Sequence, residues 1–289
     1  MSQWVYTERC QHLGVITLDR PKALNSLSLD MVRALTATLL AWRDDANVAA
    51  VLIKSSHPRA FCAGGDIRFF YESGRATPQT GSALIEDFFS EEYALNHLIH
   101  TFPKPYIALM DGVVMGGGMG IAQAGAQSAC RIVTEGTRMA MPEVTIGLFP
   151  DVGGSYFLSR TPSHFGRYMA LSGETISVAD TLLAGLADYY VPAAQLPVLQ
   201  AFLAQATLQD WQQGLALLGN WCAPWQDTLD RGSALLGHCR AQIEGHFGQD
   251  QVVQIMASLA QDDTEFARTT LATMQKRSPL MQCVTLEQL

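Results

Sequence analysis

Apolar and polar positions form two kinds of segment along the chain as far as Pro192. Short apolar runs, typical of buried β-strands, alternate with longer segments in which apolar residues recur every three or four positions. The predicted strands are 14–19, 50–54, 106–110, 131–134 and 139–141. The predicted helices are 83–101, 163–171, 177–184 and one that Ser28 or Asp30 caps and that runs to about Trp42. Because strands alternate with helices, we predict an α/β core over residues 1–192.

The remainder of the chain has a different pattern. Almost every segment beyond Pro192 has helical periodicity, so we predict a helical C-terminal region over residues 193–289. Ser278 and Pro279 are typical of a helix start, with a capping serine followed by proline in the first turn. The segment after them reaches Leu289 without a glycine or a second proline. We therefore expect the chain to end inside a helix and to be truncated there.

Composition narrows the class of protein. The chain has 289 residues, of which 48% are hydrophobic and 16% charged, as in globular proteins with a large core. A formal net charge of −8 argues against non-specific binding to nucleic acid, which needs a basic surface. The sequence shows neither a membrane span nor a secretory signal, and its six cysteines lack CxxC spacing. These features predict a cytoplasmic protein with reduced thiols and no nucleic-acid or membrane partner.

Two glycine-rich segments each follow a predicted strand. Gly64 and Gly65 lie in AFCAGGD, and Gly116, Gly117 and Gly118 lie in MGGGMG. Glycine lets the backbone approach a ligand, and a helix N-terminus presents free N–H donors that suit a developing oxyanion. Taken singly, the first segment is also typical of a tight turn and the second of close helix packing. The two alternatives remain open at this point.

Carboxylates provide the other candidate chemistry. Glu143 and Asp151 lie in AMPEVTIGLFPD, which has no further charge to neutralise either acid. Two acids in one apolar pocket can take different pKa values and roles, although a helix cap and a loop anchor would use the same residues. Glu91 and Glu92 are adjacent on a predicted helix, so only one of them can enter a site. No cluster of histidine and cysteine predicts a metal site.

Taken together, these segments resemble the crotonase (enoyl-CoA hydratase) superfamily. The similar segments, in chain order over residues 13–191, are LDRPKALNSLS, RAFCAGGDI, YIALMDGVVMGGGMG, RIVTEGTRMAMPEVTIGLFPDVGG and ALSGETISVADTLLAGLADYYV. The resemblance implies a spiral of ββα units with two perpendicular sheets, followed by C-terminal helices. It implies an acyl-CoA substrate, no required cofactor, and an oxyanion hole formed by Gly65 and Gly117 with Gly116 adjoining. The residues implied to line the coenzyme A site are Lys22, Ala23, Leu24, Gly64, Asp66 and Ile67.

The acids indicate a branch of the superfamily. Crotonase hydratases carry a glutamate just after the triple glycine, where this chain has Gly120. MPE and FPDVGG instead resemble the 3-hydroxyisobutyryl-CoA hydrolases of valine breakdown. This resemblance implies hydrolysis of a short hydroxyacyl-CoA thioester, with Glu143 as nucleophile or general base. Asp151 would orient the acyl group and water or act as acid, and Glu91 would face the acyl pocket.

Two other functions remain as alternatives. A hydratase or isomerase of the same superfamily would use Glu143 alone, and a non-catalytic acyl-CoA-binding homologue would be expected to lack both acids, which this chain keeps. Crotonase relatives often form trimers or pairs of trimers, so a homo-oligomer is among the assemblies that the resemblance implies. The segment IAQAGAQSAC is about three residues longer than in relatives, which predicts an altered helix after the triple glycine.

Overall fold

The chain folds as two compact units, each assembled from two separate stretches of sequence. The computed structural model describes residues 2–123, 129–206 and 211–289, and the expected insertion falls partly on residues 124–128, outside that part. The first unit comprises Met1–Thr137 and Asp188–Leu229, and the second comprises Arg138–Ala187 and Asp230–Leu289. This division differs from the predicted one, because Pro192 lies within the first unit.

Strands and helices alternate in the order predicted for an α/β protein. The strands are β1 (Val5–Cys10), β2 (Leu13–Leu18), β3 (Ala50–Ser55), β4 (Ala60–Cys62), β5 (Tyr106–Met110), β6 (Val113–Met115), β7 (Ala129–Val133), β8 (Arg138–Ala140) and β9 (Tyr189–Tyr190). The helices as far as β9 are α1 (Leu29–Arg43), α2 (Ile67–Ala76), α3 (Ala83–His100), α4 (Gly117–Ala122), α5 (Gly154–Leu158), α6 (Phe165–Ser172) and α7 (Val178–Leu183).

The chain after β9 is helical wherever the structure describes it. Its helices are α8 (Leu196–Gln205), α9 (Trp211–Cys222), α10 (Leu235–His238), α11 (Arg240–Phe247), α12 (Val252–Ala260), α13 (Glu265–Met274) and α14 (Pro279–Gln288). Ser278 caps α14 by accepting a hydrogen bond from the Met281 nitrogen, which confirms the predicted helix start. None of the described helices is long and apolar enough to cross a membrane.

A six-stranded sheet organises the first unit. Its strand order is β1-β2-β3-β5-β7-β9, in which only β1 and β2 are antiparallel. All five residues of β5 are buried, as expected for a parallel strand covered on both faces. The short strands β4 and β6 pair separately in parallel. This pairing matters for function, because a glycine-rich segment follows each of these two strands.

The helices α8 and α9 explain why the first unit continues beyond Pro192. Their apolar side chains join the core that covers the main sheet, which contains Leu13, Val15, Leu52, Ile107, Ile132, Leu199, Leu203, Leu218 and Cys222. Periodicity shows that these segments are helical but does not show which surface they cover. The predicted boundary followed the change in secondary structure, whereas the compact unit follows the shared core.

The second unit consists mainly of helices. Its strand β8 bridges to Ile176 through Met139. Ser177 caps α7 in a reciprocal arrangement: its hydroxyl accepts from the Asp180 nitrogen, and the Asp180 carboxylate accepts from the Ser177 nitrogen. The cap predicted at Ser177 is therefore confirmed.

Candidate active site

The two glycine-rich segments lie side by side in the first unit. The segment after β4 contains Gly64 and Gly65, and α4 begins at Gly117 directly after β6. A Cβ added at Gly117 would lie 3.4 Å from the backbone nitrogen of Gly65. At Gly118 it would overlap the carbonyl oxygen of Cys62, so no other residue fits there without a shift of the backbone. Close packing of α4 against β4 therefore brings the two predicted oxyanion glycines together.

The N–H groups of this glycine pair are available to a ligand. Within the described ranges, neither the Gly65 nor the Gly117 nitrogen donates a hydrogen bond, and Gly117 occupies the first turn of α4, where helix N–H groups lack partners. Gly116 precedes it with φ +48° and ψ −121°, which a residue with a side chain would rarely adopt. Two neighbouring donors of this kind can bind one carbonyl oxygen as it gains negative charge.

The acid beside the glycine pair is Glu92, whereas the structure places Glu91, which the resemblance assigned to the acyl pocket, away from this pair. Glu92 is 2% exposed, and a Cβ added at Gly117 would lie 2.5 Å from its Oε1 atom. Glu91 instead accepts a bidentate hydrogen bond from Arg33, and the shorter contact is 2.6 Å. Adjacent helical residues point about 100° apart, and α3 turns Glu92 inward. The sequence predicted one inward acid here but could not identify which.

The predicted coenzyme A segments also meet in the first unit. Asn25, buried at the end of the RPKALN segment, donates from Nδ2 to the Ser55 hydroxyl and the Phe61 carbonyl. The Leu27 nitrogen donates to the Gly64 carbonyl at 2.7 Å. These bonds fix the first loop against the glycine segment that precedes α2.

Within these loops, the predicted coenzyme A residues differ in exposure. The exposed ones are Lys22, Leu24 and Ile67, whereas Ala23 is partly buried. Asp66 caps α2 by accepting from the Phe69 nitrogen, and its carboxylate also pairs with Arg20 at 2.6 Å. The structure therefore gives Asp66 a structural role, and the exposed residues leave a surface on which a ligand could rest.

Glu143 is the principal titratable group of the second unit. It begins a short 3-10 helix, is 6% exposed, and its Oε2 atom has no hydrogen-bond partner among the described residues. Burial raises the pKa of Glu143 to about 8, while its own backbone N–H lowers it and the charge of Asp151 raises it further. A carboxyl group with this pKa can exchange a proton near neutral pH.

Asp151 belongs to the same unit and interacts electrostatically with Glu143. It is followed by Val152, which is buried and has φ +44°. A β-branched residue rarely adopts a left-handed conformation, and strain of about 1–3 kcal/mol persists only where surrounding packing enforces it. The FPDVGG segment therefore holds Val152, directly after Asp151, in a backbone geometry that valine does not favour.

Other candidate groups lack the required chemistry. Cys62 is fully buried, and burial raises the pKa of its thiol to about 12, so it cannot supply a thiolate nucleophile near neutral pH. Across the described ranges, no group of three or more metal-ligating side chains is assembled. The candidate chemistry therefore rests on carboxylates and backbone N–H groups.

Comparisons with known proteins show the family to which the chain belongs. A family model described as enoyl-CoA hydratase/isomerase matches residues 13–289. The chain is 40% identical over 276 residues to the mitochondrial 3-hydroxyisobutyryl-CoA hydrolase of Xenopus tropicalis, covering 96% of this chain and 70% of that protein. Its identity to the human protein of the same name is 37%, over 96% of this chain and 69% of the relative.

Solved structures confirm the predicted fold. A carnitinyl-CoA dehydratase from Mycobacterium thermoresistibile superposes with a TM-score of 0.88 at 36% identity, covering 99% of this chain and 78% of that one. An enoyl-CoA hydratase from Rhodobacter sphaeroides 2.4.1 gives a TM-score of 0.84, with the same identity and coverage. The family match over nearly the whole chain and these superpositions lead to one conclusion: the chain belongs to the enoyl-CoA hydratase/isomerase family and has the crotonase fold.

Proposed function

We propose that the protein hydrolyses a short hydroxyacyl-CoA thioester, of the 3-hydroxyisobutyryl-CoA type, to the free acid and coenzyme A in valine catabolism. The set of acids carries this proposal. Position 120, just after the triple glycine, is a buried glycine and supplies no carboxylate, whereas Glu143 is buried and coupled to Asp151. The 3-hydroxyisobutyryl-CoA hydrolases, at 37–40% identity over most of the chain, support the same reaction.

The proposed reaction uses a backbone site and an acid. The N–H groups of Gly65 and Gly117 stabilise the oxyanion that forms on the thioester carbonyl. The Glu143 carboxylate attacks the carbonyl carbon, the C–S bond breaks, and coenzyme A leaves as a thiolate that takes up a proton. Water then hydrolyses the mixed anhydride and restores Glu143, so that one difficult step becomes two easier ones. Direct attack by water, with Glu143 as base, would use the same groups.

The two remaining acids complete this proposal. Asp151 orients the acyl group and water, and its negative charge helps to keep the Glu143 pKa high. Glu92, rather than Glu91, is the acid that faces the acyl group, since its carboxylate is the one adjacent to Gly117. The curated relatives are named as mitochondrial, whereas the sequence predicts the cytoplasm for this chain, and the compartment stays a prediction.

The test is release of free thiol from 3-hydroxyisobutyryl-, 3-hydroxypropionyl-, crotonyl- and acetyl-CoA. We expect rapid release from the hydroxyacyl substrates and a loss of about 10³-fold or more in the Glu143→Gln variant. An Asp151→Asn variant should lose about 10²-fold. Glu244→Gln, an exposed acid on α11, is the matched control and should retain wild-type activity. Equal thiol release by Glu143→Gln and wild type would contradict the proposal.

A second candidate function is hydration of an enoyl-CoA or isomerisation of its double bond. The names of the two similar solved structures, a dehydratase and a hydratase, favour this alternative. The same assay separates the two reactions. Hydration removes the double bond of crotonyl-CoA, and with it the absorbance of that bond, without releasing thiol. Loss of that absorbance in the absence of thiol would replace the hydrolase proposal with this one.

A further inference from the structure

Asn96 is a buried amide that the proposed reaction does not yet use. It lies on α3, and both its Nδ2 and Oδ1 atoms are buried without a hydrogen-bond partner among the described residues. A buried amide left unpaired lowers stability, so most buried polar groups in folded proteins are paired. An amide with neither its donor nor its acceptor paired indicates that a bound molecule completes the site.

The position of Asn96 relates this amide to the glycine pair. It follows Glu92 by four residues, and residues spaced in this way lie on the same face of a helix. One helical turn separates the two residues, so Asn96 and Glu92 are neighbours on that face. Because Glu92 is adjacent to Gly117, Asn96 lies one turn of α3 from the acid at the proposed carbonyl site.

We propose that Asn96 is a substrate-binding residue whose amide, beside the Glu92 carboxylate, binds the hydroxyl group of the acyl chain. The inference rests on the proposed hydrolase function and identifies what selects its substrate. A hydroxyl both donates and accepts a hydrogen bond, and the asparagine amide offers one group of each kind. An ionised carboxylate only accepts, so Glu92 in that form does not satisfy both requirements. An acyl chain without the hydroxyl leaves the buried amide unpaired.

This arrangement predicts discrimination against acyl chains that lack the hydroxyl. Sites built to bind a substrate hydroxyl reject the analogue without it, because their own buried polar groups then remain unpaired. A neutral hydrogen bond contributes roughly a factor of ten in affinity. The most direct pair of substrates is 3-hydroxyisobutyryl-CoA and isobutyryl-CoA, which differ by one oxygen atom.

The experiment compares kcat/KM for these two thioesters in wild type, Asn96→Leu and His97→Leu. Leucine has the same branched arrangement of side-chain heavy atoms as asparagine without its donor and acceptor, and His97 is an exposed neighbour on the same helix. We expect the ratio of kcat/KM, hydroxylated over deoxy substrate, to fall about tenfold in Asn96→Leu. The His97→Leu ratio should equal that of wild type. Thermal unfolding of the ligand-free Asn96→Leu chain should occur at or above the wild-type temperature, since unpaired polar atoms are removed.

Two further outcomes of these measurements would overturn the inference. Equal losses for both substrates, or a lower unfolding temperature in Asn96→Leu, would show that Asn96 is structural or holds a buried water. Calorimetric binding of both thioesters to Glu143→Gln, with and without Asn96→Leu, gives the same comparison without turnover. If wild type releases no thiol, the hydrolase proposal fails, and unequal binding that disappears with Asn96→Leu would still support the inference.

Discussion

The candidate chemistry of the first unit depends on backbone groups, whereas that of the second unit depends on a side chain. In the first, the reactive groups are backbone N–H groups of Gly65 and Gly117, fixed by close packing between α4 and β4. In the second, the reactive group is the side chain of Glu143, whose pKa is raised to about 8 by burial. Backbone donors do not titrate, so activity that depends on the glycine pair should be sensitive to a side chain added at these glycines. A buried acid should respond to pH and charge.

The largest effect should come from the charge of Glu143. Because its folded-state pKa of about 8 exceeds the ordinary value of 4.5, the folded chain binds the extra proton. Stability from this group is complete below pH 4.5 and is lost as pH rises through about 8. At 1.36 kcal/mol per pKa unit, the loss approaches about 5 kcal/mol.

Urea unfolding of wild type and Glu143→Gln at pH 5 and pH 9 measures this effect. Relative to wild type, the free energy of unfolding of Glu143→Gln should be several kcal/mol higher at pH 9 than it is at pH 5. The reason is that glutamine cannot ionise, whereas Glu143 loses its proton as the pH rises. The control is Glu244→Gln, whose exposed carboxyl should give no such gain. If the free energies of unfolding of wild type and Glu143→Gln differed by the same amount at pH 5 and pH 9, Glu143 would be ionised in the folded chain at both pH values.

Added volume at the glycine pair should have the next largest effect. A methyl group at Gly117 would meet Oε1 of Glu92 at 2.5 Å, displacing the acid or turning the Gly117 nitrogen away. Loss of one oxyanion donor typically lowers kcat about 10²- to 10³-fold. We therefore expect thiol release by Gly117→Ala to fall by this factor, while the pH midpoint of kcat/KM stays at that of wild type.

Gly245→Ala is the matched control for Gly117→Ala. Gly245 lies within α11, and a Cβ added there meets no atom within 4 Å. This variant should keep full activity and gain about 0.5–1 kcal/mol in stability, as expected for alanine in a helix. A shifted pH midpoint of kcat/KM in Gly117→Ala would show that the glycine pair and Glu143 do not act independently.

The loop that supports the glycine pair should show an intermediate effect. Asn25 is fully buried, has φ +56°, and donates to Ser55 and to the Phe61 carbonyl. Asn25→Ala removes both of these buried hydrogen bonds and should lower the free energy of unfolding by about 2–4 kcal/mol in urea titrations. Asn47→Ala, at an exposed turn, should cost less than about 0.5 kcal/mol. Similar costs for both would contradict the assigned role of Asn25.

Strong local patterns predicted much of the fold. The strand β5 was predicted at its exact bounds because all five of its residues are apolar and buried. The edge strand β1 was missed, since residues 6–9 are exposed and carry no apolar periodicity. The helix α2 was missed for a related reason, because none of its residues is fully buried. Pattern analysis detects burial, so elements that bury little escape it.

The candidate site was predictable to a similar extent. The segments that carry Gly65 and Gly117 were identified from their glycines, and the structure brings these two residues together. Spacing alone could not choose between Glu91 and Glu92, since the choice depends on the rotation of α3 about its axis. Asn96 was not identified either, because an asparagine beside apolar helix positions gives no signal until its buried, unpaired amide is seen.

Glu91 and Glu92 give the smallest expected effect and the closest comparison. Glu91 pairs with Arg33 where both side chains are substantially exposed, at 36% and 50%. Water and salt screen such a pair, so it contributes little to stability, even though the hydrogen bond from Arg33 lowers the pKa of Glu91. Glu91→Gln should therefore keep thiol release within about twofold of wild type and change stability by less than about 1 kcal/mol.

Glu92→Gln should behave differently from Glu91→Gln, although both variants make the same chemical change. Its carboxyl group is buried beside Gly117, where replacing one oxygen by an amide nitrogen changes the hydrogen bonding available at the proposed carbonyl site. We expect kcat/KM for 3-hydroxyisobutyryl-CoA to fall at least about tenfold in Glu92→Gln. Equal activity of the two variants would mean that proximity to the glycine pair confers no function. A larger loss in Glu91→Gln would restore the assignment first made from the sequence and would require α3 to be rotated in the substrate complex.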